Sequence, residues 1–403
     1  MQLRLLRRFT CKQATMTIVG TEVCIFLCGD VMTGRGIDQV LPHPVNPALY
    51  EPYVHDARDY VQLAEAANGP ILRPVDFAYI WGDALEELQR AGPDVRIINL
   101  ETSITCNEKP WPEKGINYRM NPKNVGCITA ACIDCCCLAN NHVLDWEYQG
   151  LAETLETLDA ASLSHAGAGH SAAQAAAPAV LDVADKGRVL VFAFGSTSSG
   201  IPREWSATEN RAGVNLLKDL SEDTARRTAV EILSYKRPGD VTVASIHWGS
   251  NWGYGIPDQQ IDFAHRLIEE GVDLVHGHSS HHVKAVEVYR DRLILYGCGD
   301  FITDYEGISG HEEFRSDLAL MYLVKMDAQQ GRLIEVRLVP MQARRFRLNR
   351  VSKADVHWLC NLLNDLGAPF ATETQLEDDN SMALRWRSSS ASTARANDLR
   401  STK

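Results

Sequence analysis

Between residues 22 and 276, short β-branched or apolar runs alternate with segments of helical period. This alternation commits the chain to α/β architecture built on parallel strands. Strands are expected over residues 22–28, 95–100, 133–139, 189–193, 241–246 and 272–276, and helices over 84–90, 150–160, 222–235 and 258–270. The last helix has both of its boundary signals, Pro257 before it and Gly271 after it. Past Gly277 the pattern changes. KAVEVY, RLILYG, DLALMYLVKM and GRLIEVRLVPM follow one another with only turns between them, which reads as an antiparallel meander. A final helix is expected over 353–366. Prolines at 42, 44, 47, 52, 70 and 74 make residues 40–80 a long surface excursion, a lid or substrate wall.

Composition removes several classes of function. With 45% hydrophobic and 23% charged residues the chain has the balance of a folded protein. Its 40 Lys+Arg against 52 Asp+Glu give a formal charge of −12, so nucleic acid is not an expected partner. No run approaches the ~20 apolar residues of a transmembrane helix. The start MQLRLLRRFTCKQAT is basic, but the next apolar run, IFLC, is too short for a signal peptide, and Met16 offers an alternative start. Eleven cysteines, three of them consecutive at 135–137, fit no simple disulfide framework and point to a cytoplasmic protein. Consecutive strand residues face opposite ways, so Cys135, Cys136 and Cys137 read as core rather than as one metal site. The expected organisation is a flexible N-terminus over 1–21, a main domain over 22–345, a C-terminal helix and extension over 346–387, and a disordered tail over 388–403.

Polar signatures follow the expected strands. The first ends in Asp30, the second in Asn99 and Glu101, the third in Asn140, Asn141 and His142, the fifth in His247, and the sixth in His276, His278, His281 and His282. Taken singly each has a bland reading: Gly-Asp and Asn-Asn are ordinary turns, and a lone histidine packs in many cores. Their joint placement carries the weight. In an open parallel sheet the carboxyl ends share one edge, where a ligand crevice forms. Carboxylate, amide and imidazole together make a donor set for a divalent transition metal.

FLCGDVMTGRGID, NLETSIT, LANNHVLDW, HAGAG, SIHWGSNWGY and VHGHSSHHVKAVEVYRDRLILYGCGDFI, in that order, resemble the CapA or poly-γ-glutamate capsule biosynthesis family of the metallophosphoesterase (calcineurin-like) superfamily. The resemblance implies a four-layer αββα sandwich with a site at the strand ends for up to two divalent ions of manganese, iron or zinc. Carried onto this sequence, it implies Asp30, Glu101, Asn141, His247, His278 and His281 as metal ligands. It makes His142 the proton donor or charge stabiliser, Asp145 its orienting partner and Arg35 a clamp for an anionic substrate. Met32 stands where the superfamily's first block has a histidine. The function implied is that of a hydrolase or transferase acting on a phosphoester or a γ-glutamyl or acyl-phosphate substrate, poly-γ-glutamate-like or small and anionic. A non-catalytic polyanion-binding scaffold is the alternative.

Overall fold

The computed structural model describes residues 22–387. The N-terminus and tail expected over 1–21 and 388–403 lie outside the described residues. Two sheets carry the fold. The larger runs, edge to edge, Thr372–Leu376, Met382–Trp386, Arg332–Ala343, Leu318–Asp327, Glu22–Val31, Val95–Leu100, Cys135–Cys137 and Ser164–Ala166, with Asp300–Ile302 also paired to Glu22–Val31. The smaller runs Val286–Tyr289, Arg292–Leu295, Leu274–His278, Asp240–His247, Gly187–Gly195 and Ala179–Val183.

Side-chain alternation along these strands sorts the core into layers. Val23, Ile25 and Leu27 face Val189, Val191, Val241 and Val243 between the sheets. Phe26 and Cys28 face the other way, onto the helical side of the larger sheet. In the smaller sheet Leu190, Phe192, Ala244 and Ile246 pack outward onto helices Glu222–Tyr235 and Asp258–Glu270 through Ile232, Phe263 and Leu267. The layers are thus helix, sheet, sheet, helix, the αββα sandwich expected. Each of these large side chains contributes about 1.5–3 kcal/mol by leaving water. The shared layer therefore fixes how the rims of the two sheets meet. Cys135 and Cys137 lie in that layer and Cys136 in the outer one.

Three expectations need correction. The ligand-bearing strand ends do not share the edge of one sheet: Glu22–Val31, Val95–Leu100 and Cys135–Cys137 belong to the larger sheet, whereas Asp240–His247 and Leu274–His278 belong to the smaller. The segments after Gly277 form no single meander. Val286–Tyr289 and Arg292–Leu295 are a hairpin on the smaller sheet, and Leu318–Asp327 and Arg332–Ala343 are a hairpin on the larger. Local alternation marks a strand but not which sheet receives it. Residues 40–80 are no mere surface excursion either. They contain helix Arg58–Asn68 and bury Val40, Leu49, Tyr60, Val61, Ala64 and Ile71 in the outer core. After residue 345, helix Lys353–Gly367 and strands Thr372–Leu376 and Met382–Trp386 extend the sandwich, the strands joining the larger sheet.

Candidate metal centre

The larger sheet brings acids to the rim. Strand register sets Asp30 level with both Asn99 and Asp300. This close approach needs Gly29, where a Cβ would lie 1.6 Å from the Gly299 carbonyl oxygen. Asn99 Nδ2 donates to Asp30 Oδ1 at 2.7 Å and to Glu101 Oε2 at 3.2 Å, and Asn140 Nδ2 donates to Asn99 Oδ1 at 3.1 Å. The Ser279 N–H donates to Asp30 Oδ2 at 3.1 Å from a backbone with φ of 102°, a strained conformation of the kind that collects at functional sites. Burial, then the Asp300 charge, pushes the Asp30 carboxyl up to about 7. Burial and the charges of Asp30 and Asp300 hold Glu101 well above the usual carboxylate range. Three buried acids in one place call for positive charge.

The smaller sheet brings imidazoles, and its hydrogen bonds determine which nitrogens bear protons. His276 Nε2 lies 2.8 Å from the Cys28 carbonyl, which can only accept, so this nitrogen is the protonated one. His276 Nδ1 then accepts from the Ser245 hydroxyl at 3.1 Å. Having spent its proton, Ser245 Oγ accepts from His278 Nε2 at 2.9 Å. The other end of the site is set by Asn141, whose Oδ1 accepts from His247 Nε2 at 2.9 Å. Both Nδ1 atoms are left as bare lone pairs, facing each other at 2.8 Å, with Asp30 Oδ1 3.6 Å from that of His278. Burial keeps both imidazoles neutral by lowering their pKa well below the usual value. Two lone pairs and a carboxylate directed at one another fit a divalent cation and little else, and Asp30, His247 and His278 offer ligand atoms all within 4.8 Å of one another.

The other expected residues surround this trio. Glu101 Oε1 is 3.9 Å from His247 Nε2 and 3.7 Å from His142 Nε2. His142 Nδ1 donates to Asp145 Oδ2 at 2.6 Å, and Asp145 Oδ1 is paired with Lys114 at 2.8 Å. Burial, with the Lys114 charge, outweighs Asp145 and brings the His142 imidazole down to about 4. His281 Nδ1 is 2.9 Å from Asp300 Oδ1; burial alone would lower its pKa, but the Asp300 charge raises it. Asp300 Oδ2 is buried and has no partner, a further unmet oxygen at the same level as Asp30. Glu101, Asn141, His142, His281, Ser279 and Lys114 line a cleft of about 540 Å³ over the site. Arg35 lies apart from it. Its buried guanidinium is bonded to Asp304, Glu51 and Tyr60.

Asn99, Asn140, His276, Ser245, Asp300 and Lys114 complete the site and were assigned no role from sequence. Asp300 had a readable signal: Cys298-Gly299-Asp300 repeats Cys28-Gly29-Asp30, and the two aspartates are register partners. Ser245 and Lys114 had none, because a serine inside a strand and a lysine in a loop are commonplace.

Comparison with known proteins identifies the family. The family model described as bacterial capsule synthesis protein PGA_cap matches residues 24–305. A probable polyglutamine synthesis accessory protein of Mycobacterium tuberculosis is 46% identical over 359 residues, covering 89% of this chain and 94% of the relative. The PGA biosynthesis protein CapA of Bacillus subtilis is 24% identical over 68% of this chain and 62% of its own length, and the capsule biosynthesis protein CapA of Bacillus anthracis is 24% identical over 48% of this chain and 45% of its own. Among the described residues no helix is long and apolar enough to cross a membrane. The match over most of the sandwich, every strand-end motif included, makes this chain a member of the PGA_cap capsule synthesis family.

Proposed function

We propose that the chain is a divalent-metal-dependent hydrolase or transferase that serves poly-γ-glutamate-type synthesis, acting on a phosphoester, acyl-phosphate or γ-glutamyl bond. The observation that carries this reading is the buried convergence of bare His247 Nδ1, bare His278 Nδ1 and Asp30 beside a cleft lined by their neighbours Asn141, Ser279 and Glu101. Asp30, His247 and His278 would hold a cation, with Glu101, Asn141 and His281 beside them. When bound, such ions lower the pKa of water and offset the negative charge that builds on an attacked centre. The chain's own contribution is orientation and proton handling. Asp145 and Lys114 fix the His142 ring with its proton on Nδ1, so that Nε2 faces Glu101 across the cleft as a bare lone pair placed to take up a proton from water or substrate. Arg35 is engaged by Glu51 and Asp304 and shapes the wall beside the cleft.

The relatives' printed names support the pathway and leave the chemistry open. A polyanion-binding scaffold would want a cationic cleft. Here Lys114 stands against Glu101, Glu113 and Glu204 in the lining, so an anionic chain would bind only with divalent ions present. Purified protein is expected to retain a transition metal through gel filtration and to hydrolyse bis(p-nitrophenyl) phosphate or a γ-glutamyl anilide on addition of manganese. His247→Ala is expected to lose both properties. A variant with unchanged metal content and turnover would overturn the proposal.

A further inference from the structure

A second cavity, of about 780 Å³, adjoins the metal cleft. The two share Gly115, Ile116, Asn251, His281 and Tyr305 in their linings. His281 and Tyr305 form the common wall, their rings perpendicular and 5.2 Å apart, so one molecule lying across them would touch both compartments. The volume is that of a site for a small organic molecule.

The two compartments differ in chemistry. The metal cleft is ionic, whereas most of the charged groups around the second cavity are already paired or hydrogen-bonded within the protein. On its floor Arg35 is bonded to Glu51 and Asp304. On its far side Arg315 is taken by Asp317 and Asp355, and Glu306 accepts the N–H groups of Arg345 and Phe346. What remains for a ligand is largely neutral and apolar. Tyr53 is 95% exposed, Ile308 49% and Ile116 43%, all at the lining. Thr303 adds a hydroxyl oxygen that is buried and unpartnered in the same lining. Arg344 stands at the rim as an exposed cation.

We infer that the second cavity binds the uncharged body of the substrate whose anionic head reacts in the metal cleft. The substrate class is an anionic head joined by a flexible linker to an apolar or aromatic group, rather than a uniformly charged chain. The placement of the head rests on the proposed metal centre; the binding of the body does not. Calorimetric titration of manganese-loaded protein with methylphosphonate and with ω-phenylalkyl phosphonates of increasing linker length tests the inference. Affinity is expected to rise at least about tenfold at the linker that lets the ring reach the cavity, as burial of a phenyl group allows. Tyr53→Asp and Ile308→Asp, both at exposed positions, should each remove that gain and leave methylphosphonate binding as it was. Equal affinity along the whole series, or a gain that survives both substitutions, would overturn the inference. If long members bind with or without manganese, lose affinity in Ile308→Asp, and methylphosphonate does not bind at all, the cavity assignment stands and the metal-centre reading fails.

Discussion

The two rims that meet at the cleft are held by opposite means. On the larger sheet Asp30 and Glu101 are buried carboxyl groups held by N–H donors from Asn99 and Ser279. On the smaller sheet His278 and His247 are neutral rings whose lone pairs are turned inward by acceptors behind them, Ser245 and Asn141. Buried carboxylates are costly without a counter-charge, whereas a neutral imidazole with its outer nitrogen bonded is not. The need for a cation therefore originates in the larger sheet. The preference for a borderline transition metal over calcium or magnesium originates in the smaller, since imidazole suits the former.

Removing one donor from either rim gives the largest expected effect. His247→Ala and Asp30→Ala should each weaken manganese binding by more than about 100-fold in a competition titration, because neither rim is a site alone. If either variant kept its affinity, the joint site would dissolve into two unrelated halves. Ser245→Ala acts one layer back and should cost about 10- to 100-fold, the usual effect of losing an outer partner, while Ser245→Thr keeps the hydroxyl and should stay near the parent. Equal losses in both variants would show that packing, and not the proton arrangement of His276, Ser245 and His278, is what matters.

In metal-free protein the acids and the imidazoles should also respond to pH in opposite directions. Asp30 is pushed from 3.8 up to about 7, so between those values the folded chain holds a proton that the unfolded chain has released. Stability then falls as pH rises through that window. His142 and His276 are brought from 6.5 down to about 4, chiefly by burial, so the unfolded chain gains protons there that the folded one does not. These groups remove stability as pH falls from about 6.5 to 4. Melting of chelator-treated protein should show both limbs. Asp30→Asn should raise the high-pH limb by several degrees, and added manganese should flatten the profile around neutrality. An unchanged high-pH limb in Asp30→Asn would mean that Asp30 is already ionised in the folded, metal-free chain.

Strand ends and helix ends were legible wherever local chemistry sets them. Val95–Leu100, Glu222–Tyr235 and Asp258–Glu270 fall where hydrophobic period and boundary residues put them. Sheet membership was not legible, because Leu293 and Leu320 alternate alike although their strands belong to different sheets. Residues 40–80 misled because proline spacing marks turns and says nothing of what Tyr60 or Ile71 packs against. At the site, most groups carrying charge or imidazole declared themselves, Asp300 and Lys114 excepted. Asn99 and Ser245, which only hold others in place, did not, since their contribution exists only once two strands are in register.

The smallest effect concerns the cysteines beside the site. Cys135, Cys136 and Cys137 form the strand that leads into the Asn140–His142 turn, close enough in sequence to invite a ligand role. The pleat separates them: Cys135 and Cys137 pack between the sheets with Val191 and Ala193, and Cys136 packs outward among Ile98 and Leu151. Burial, with a neighbouring thiol, drives the Cys136 thiol well above its ordinary range, so none of it is thiolate at neutral pH. Cys136→Ala should then cost about 1 kcal/mol for the small void, and Cys136→Ser somewhat more for its buried hydroxyl. Denaturant unfolding would measure both. Neither change should alter metal content or affinity, because the ions answer to the rims and the thiols to the core. A cysteine variant that folded normally but lost metal would move the centre into the larger sheet and undo the division of labour between the two rims.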